Sequence, residues 1–399
     1  FTSLLSRRTC VGDNGKMKFD IEIVGGGLAG LGLAAALRRS AFSIALIEGA
    51  TPNAPAKRIY DFSAATTAAS WDSRIYAISP ANANFLAEIG IWQHLDPLRM
   101  EPVRNMQVFG DGKGRLDFSA YDSGVAELAW ILESSLMQTE LREMVKRQGN
   151  LTLFCPATPQ ALVLTDTAAE LTLTDGRQLT ARLIVAADGA DSWTRRAAGI
   201  EVAFKNYDQL GVVANFSTAL PHYHTAFQWF RADGILAWLP LPGQQISMVW
   251  SAKTALGEEL LSESPEDLCT TVANAGGHLL GELKLITPPT AFPLRLMRAP
   301  RTVLPRLCLV GDAAHTVHPL SGHGINLGFG DVQALAKTLL NAFPVEDCGD
   351  FSLLRRFERS RKEEVFMLQT ATDHLQRLFA IRRGPLIGLR NAGLNLTNH

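Results

Sequence analysis

The spacing of apolar residues changes several times along the chain. Residues 19–24 (FDIEIV) form a short, largely apolar run, the pattern of a buried strand. An Ala- and Leu-rich stretch over 28–39 predicts a helix, and 43–47 predicts a second strand that ends at Glu48. Residues 74–90 read as a helix after an Asp72-Ser73-Arg74 turn, and 132–146 have helical apolar spacing. Residues 106–118 read as a hairpin around GDGKG. Short strands are predicted at 151–155, 161–164, 171–174 and 183–187. From about 205 to 290 the pattern becomes an alternation (GVVANFS, TAFQWF, ILAWLPLP, ISMVW), which predicts an antiparallel sheet with a large apolar face. The α/β pattern returns at Pro305, with a strand at 307–310 and helices to the end. One residue breaks the first strand. An acid at Glu22 in a buried strand needs an edge position or a partner.

The order of elements predicts an α/β protein with two interleaved parts, α+β in overall organisation. A discontinuous Rossmann-like nucleotide-binding domain covers 17–103, 129–202 and 291–370. An antiparallel-sheet substrate domain covers 104–128 and 203–290. Residues 371–399 form a C-terminal helical tail. Residues 1–16 match no later element and are read as a disordered or non-native leader before a start at Met17.

Composition narrows the class. The chain has 399 residues, 47% hydrophobic and 19% charged, which suits a folded globular protein. A net charge of −1 offers no bulk attraction to nucleic acid. Arginines and a lysine crowd at 355, 356, 359, 361 and 362, and on a helix such a cluster reads as a solvated face. The five cysteines are widely spaced and contain no Cys-x-x-Cys pair, which excludes a dithiol redox centre and suits a reducing cytosol. The longest apolar run, 23–37, is shorter than the ~20 residues that a membrane span requires.

Two glycine-rich loops carry the chemistry. Gly25, Gly27 and Gly30 form G-x-G-x-x-G between a strand and a helix, with Glu48 ending the next strand. The first glycine permits the turn, the second lets a pyrophosphate approach the backbone, and the third lets helix and strand pack closely. Leu28 and Ala29 open a helix whose N-terminal N–H groups face the phosphates. Glu48 is placed to accept from a ribose. The second loop, GDAAHTVHPLSGHGINLGFGD over 311–331, also follows a strand. If both strands share one sheet, both loops meet one ligand beyond the strands' carboxyl ends. His315 and His318 have ligand-like spacing without a third ligand, so no metal site is expected. His222 and His224 read as surface residues. Phe227, Trp229, Phe230 and Trp238 read as core.

Three motifs together, the first loop with Glu48, DGADSWTR from Asp188 to Arg195, and Gly311-Asp312, resemble the class A flavoprotein monooxygenases. DSRIYAIS, MQVFGD, FQWFRADGILAWLPLP, MVWS and the second loop are similar to the ubiquinone-biosynthesis hydroxylases, over about 17–397. The resemblance implies an FAD enzyme that takes a hydride from NAD(P)H and forms a C4a-hydroperoxyflavin with O2. It then hydroxylates a polyprenylated phenol. It implies that Gly25, Gly27, Gly30 and Glu48 hold the ADP half and that Arg74 reaches the flavin or pyrophosphate. Asp188 belongs to a motif tied to FAD and NAD(P)H, and Gly311-Asp312 reaches the ribityl chain. Pro319 and the backbone of Gly322, His323, Gly324, Ile325 and Asn326 face the ring. The usual Gln between the two glycines is His323 here, a residue titratable near neutral pH. The same motifs leave open a flavin dehydrogenase or a catalytically silent FAD scaffold. A polyprenyl substrate also implies docking to a membrane or biosynthetic complex, for which the mixed apolar and basic segment 378–396 is the candidate.

Overall fold

Five parallel strands form the base of the nucleotide-binding half. Met17–Val24 pairs with Gln178–Ala186 on one side and Ile44–Ile47 on the other; Leu151–Phe154 and Leu307–Leu309 extend the two sides. The computed structural model describes residues 10–11, 16–50, 71–112, 114–317, 324–343 and 345–380. The strands are covered on both faces, which is why they read as apolar runs rather than alternations. Ile21, Ile23, Ile44, Leu46, Leu183 and Val185 pack in one cluster with the helices Leu28–Ala36, Ser134–Lys146 and Gly324–Leu340. Ala45, Ile47, Ile184 and Ala186 pack in another with Ala169 and Leu171 of the antiparallel strand Ala169–Leu173.

The second sheet is built around the 16-residue strand Ala203–Thr218. In order it runs His315–Thr316, Thr290–Arg298, Ala203–Thr218, Gln245–Lys253, Gly234–Leu241, Thr225–Arg231, Asn105–Phe109 and Arg115–Ser119. All neighbours are antiparallel except Thr225–Arg231 and Asn105–Phe109, which run parallel, so the sheet is mixed. Phe216, Trp238, Met248 and Trp250 are fully buried on the face closed by helices Thr254–Ser262 and Pro265–Ala275. Truncating a tryptophan in such a core costs about 3–5 kcal/mol. Phe227 and Phe230 are buried, and Trp229 stacks on Phe109 at 5.4 Å, so this aromatic group is core. The opposite face packs Ala226, Leu239 and Leu241 against Trp71, Ile75, Ala77 and Ile131.

Several sequence expectations shift. Residues 74–90 are a strand, Ile75–Ile78, followed by a helix, Pro80–Glu88. The strand pairs with Ala129–Glu133, while Ser79 caps the helix and Pro80 opens it, so the helix cannot extend back through the strand. Strand Thr290–Arg298, assigned from sequence to the nucleotide-binding half, pairs with Ala203–Thr218. Its Pro293 lies beside a register shift, where a missing N–H is tolerated. Cys10–Val11, within the expected leader, pairs with Met17–Val24. His222 is buried, its Nε2 2.9 Å from Leu241 O and 2.7 Å from Gly243 O, rather than on the surface. Half-exposed His224 places Nδ1 2.5 Å from Glu101.

Glu22 has neither an edge position nor a partner. It lies in the central strand between Ala45 and Ile184, is completely buried, and neither carboxyl oxygen has a hydrogen bond. Burial pushes its pKa well above the usual 4.5. A pKa raised by folding gives stability that is intact below the unfolded value and lost as pH rises toward the folded one. Glu22→Ile is therefore expected to stabilise the protein by about 1–3 kcal/mol at neutral pH, the cost of an unsatisfied buried polar group. Denaturant titrations should show the gain growing from pH 5 to pH 8. A variant less stable than wild type at pH 8 would contradict this account.

Candidate functional site

The carboxyl ends of the parallel strands are stitched into one edge. Gly25 N–H donates to Ile47 O at 2.8 Å, Ala187 N–H to Val24 O at 2.8 Å, and Val310 N–H to Ala186 O at 3.0 Å. Gly25, Glu48, Asp188 and Gly311 thus leave neighbouring strands at the same level, where open α/β sheets bind ligands.

The three glycines of the first loop face different surroundings. Gly25 has φ +109°, and a Cβ there would lie 2.3 Å from Ala187 O. A Cβ on Gly30 would lie 1.9 Å from Gly25 O. A Cβ on Gly27 would meet no protein atom within 4 Å. Protein packing thus requires the first and third glycines, while the second borders open space at the start of helix Leu28–Ala36. Glu48 Oε2 accepts from Gly26 N–H at 2.6 Å and Oε1 from Ala50 N–H at 2.8 Å, which fixes the carboxylate beside the loop. Gln138 Nε2 donates to Gly26 O at 3.3 Å. Nothing local in the sequence marks Gln138, because it arrives on another helix.

The second loop meets the first. Gly311 has φ +58°, and a Cβ on it would lie 3.3 Å from Ala29 Cβ and 3.8 Å from Gly328 Cα. Leu28 is buried in the core, so only its backbone is available to a ligand. Asp312 is exposed to solvent yet closely surrounded by protein, as in a side chain lining a cleft. Those surroundings raise its carboxyl pKa, while His315 and Arg74 act in the opposite sense. Arg74 is exposed and has no ion-pair partner among the described residues. It also acts electrostatically on Tyr76, as does Asp312, so the three groups lie close together. An exposed guanidinium and a carboxylate beside two glycine loops suit a ligand with both phosphates and hydroxyls.

Other candidates serve the scaffold. Asp188 accepts from Ser192 Oγ, from Thr194 N–H at 2.9 Å and from Thr194 Oγ1 at 3.0 Å, so its carboxylate organises its own turn. Arg195, 1% exposed, donates to Ala190 O at 2.8 Å and Ala313 O at 2.9 Å, joining that turn to the second loop. The Asn326 side chain accepts from Ser79 N–H at 2.9 Å and donates to Ala77 O at 2.7 Å. It therefore ties the start of helix Gly324–Leu340 to the Arg74 strand. Ile325 packs against the core, and Gly324 borders open space. Pro319, Gly322 and His323, with His318, lie outside the described residues.

A buried ionic hub supports the second loop. Asp331 accepts from Gly311 N–H at 2.9 Å and Arg361 Nε at 2.8 Å, and His315 Nε2 lies 2.7 Å away. Burial alone would lower the His315 pKa, but Asp331 outweighs it and the net shift is upward. Burial alone would raise Asp331, and His315 with Arg361 brings it below its usual value. Arg361, part of the basic cluster read as a solvated face, points inward. No group of three or more metal-ligating side chains occurs among the described residues. A cavity of about 580 Å³ lined by Arg38, Arg39, His94 and Met144 lies at the far end of helix Leu28–Ala36. That is roughly 15 Å from Gly27 at 1.5 Å per residue.

The open space at Gly27, the two touching glycine loops, the fixed Glu48 and the exposed Arg74 fit the phosphates, ribose and ribityl chain of FAD. Comparison with known proteins agrees. Residues 18–368 match the FAD binding domain family. The 3-demethoxyubiquinol 3-hydroxylase of Escherichia coli is 33% identical over 378 residues, 94% of this chain and 93% of that protein. The mitochondrial ubiquinone biosynthesis monooxygenase COQ6 of Homo sapiens is 30% identical over 443 residues, 99% and 92% of the two chains. PqsL of Pseudomonas aeruginosa, a probable FAD-dependent monooxygenase, shares the fold with a TM-score of 0.76 at 22% identity, over 95% of this chain and 100% of that one. Fold and site together define an FAD-dependent monooxygenase. The chain belongs to the FAD-binding family that contains the ubiquinone-biosynthesis hydroxylases.

The two inner glycines give opposed expectations. Gly27→Val should leave a soluble protein with stability within about 0.5 kcal/mol of apo wild type. Its FAD affinity should fall at least about a hundredfold, or ~2.8 kcal/mol. Gly30→Val should abolish soluble expression, because its Cβ would overlap backbone. Flavin absorbance and denaturant unfolding measure both. A Gly27→Val protein that remains yellow would show that the pyrophosphate lies elsewhere.

Proposed function

We propose that this enzyme hydroxylates the aromatic ring of a polyprenylated phenol in ubiquinone biosynthesis, with NAD(P)H and O2 as co-substrates. The observation that carries the reading is the apolar contact beside the cofactor cleft. There Ala226, Leu239 and Leu241 of the second sheet pack on Trp71, Ile75 and Ala77, next to Arg74. An aromatic ring with a long apolar tail requires such walls near the flavin. The names of the E. coli and human relatives support the same substrate class.

FAD, when bound, supplies hydride acceptance and oxygen activation. The chain holds, orients and shields it. In the loop that Gly25 and Gly30 shape, Gly27 and the N–H groups at Leu28 and Ala29 would take the pyrophosphate, and Arg74 would offset its charge. Glu48 takes the adenosine ribose, and Asp312 the ribityl hydroxyls. Asp188 acts through the turn that it organises. The resemblance assigns to Pro319 and to the backbone from Gly322 through Asn326 the part that would face the ring, with His323 the residue able to change charge there. The apolar face that carries Ala226, Leu239 and Leu241 would exclude water there, which oxygen transfer requires.

Turnover with a short-chain prenylated phenol in detergent tests the reading. NADH or NADPH oxidation should rise at least tenfold, and one atom from labelled O2 should appear in the product. Stimulated oxidation without label in the product would replace the reading with that of a dehydrogenase.

No helix among the described residues is long and apolar enough to cross a membrane. A polyprenyl substrate nevertheless resides in one, and segment 378–396 supplies apolar residues together with Arg382, Arg383 and Arg390. Truncation before Phe379 is expected to halve co-sedimentation with anionic vesicles while FAD stays bound. Unchanged sedimentation would assign docking to another surface.

A further inference from the structure

The second glycine loop begins as part of the second sheet. His315–Thr316 pairs with Thr290–Arg298 through Met297 opposite Thr316 and Arg298 opposite His315. A two-residue strand has little register of its own. Thr316 Oγ1 donates to Arg295 O at 2.9 Å and Ala299 N–H to Ala314 O at 3.0 Å, and Gln369, on the C-terminal helix Phe351–Ala380, adds a clamp across both strands. The residue is 1% exposed. Its Nε2 donates to Met297 O and to Thr316 O, both at 2.9 Å, and its Oε1 accepts from Arg298 Nε at 2.6 Å. Only this orientation of the amide satisfies all three contacts, because a carbonyl oxygen cannot donate. The two carbonyls belong to the opposed pair Met297 and Thr316, so one side chain fastens both strands. The same helix reaches the other end of the segment through Arg361, Asp331 and Gly311.

We propose that Gln369 is a positioning residue for the flavin. By fastening Thr316 to Met297 it sets where residues 311–317 lie and locks that position to the second sheet. Gln369 belongs to none of the three motifs that mark the cofactor site. The inference rests on FAD binding and not on the identity of the substrate, so a wrong substrate leaves it intact.

The test uses FAD-loaded Gln369→Glu and Gln369→Met. Glutamate keeps the size and an acceptor for Arg298 but removes both N–H donors; methionine removes every polar contact. Both variants are expected to bind FAD. Amide hydrogen exchange over 311–317 should accelerate at least tenfold in each, with exchange in helix Leu28–Ala36 unchanged. The visible circular dichroism and midpoint potential of the bound flavin should shift in the same direction in both. A folded Gln369→Glu protein with wild-type exchange, dichroism and potential overturns the proposal. If Gln369→Met fails to fold, Gln369→Glu alone decides. If neither folds, Gln369 is a stability determinant and the proposal is also overturned.

Discussion

One buried carboxylate holds together parts of the chain that are remote in sequence. Asp331 receives the backbone N–H of Gly311, the imidazole of His315 and the guanidinium of Arg361. A charge so deeply buried is tolerable only when its partners are all in place, and removing one leaves the others uncompensated. The hub therefore makes the second loop conditional on the C-terminal helix. Arg195 adds a second condition, since its guanidinium joins the Asp188 turn to Ala313. The site is held from beneath by side chains that make their own bonds within the scaffold. Arg74 and Asp312, both exposed, form no ion pair with another side chain among the described residues.

The first loop was legible in the sequence because its determinants are local. Turn, close approach and helix start follow one another within six residues, from Gly25 to Gly30, and Glu48 ends the next strand. The pairing of the two loops was also inferable, since both follow apolar strands and open sheets bind at strand ends. The contacts of Gln138, Asp331 and Gln369, and the reach of Arg195 to Ala313, escaped notice for a common reason. Each acts across a large sequence separation, and neither periodicity nor motif spacing encodes the partner. Asp331 lay inside a quoted motif, but its role depends on Arg361, which the charge pattern had assigned to solvent.

Two misreadings have simpler causes. The segment from Arg74 to Gly90 is helical only from Pro80, and Ile75–Ile78, ahead of the cap at Ser79, is recruited as a strand by Ala129–Glu133. Tertiary pairing outweighed local pattern there. Glu22 is the reverse case, a local conflict that the fold does not repair. The strand accepts it at the cost of a completely buried acid without a hydrogen bond.

The interleaving of the two sheets has a consequence for biosynthesis. The central parallel sheet closes only when Leu307–Leu309 reaches Gln178–Ala186, more than a hundred residues earlier in the chain, as in the pairing of Ile184 with Leu307. Parallel pairings of that separation form late, because the chain entropy of closure precedes any reward. During synthesis on a ribosome, the edge of Gln178–Ala186 at residues 184–186 stays unpaired while the strands of the second sheet between 203 and 298 emerge. Nascent chains of this enzyme should therefore depend on chaperones over that interval. They gain a complete flavin cradle only after the C-terminal helix has left the exit tunnel.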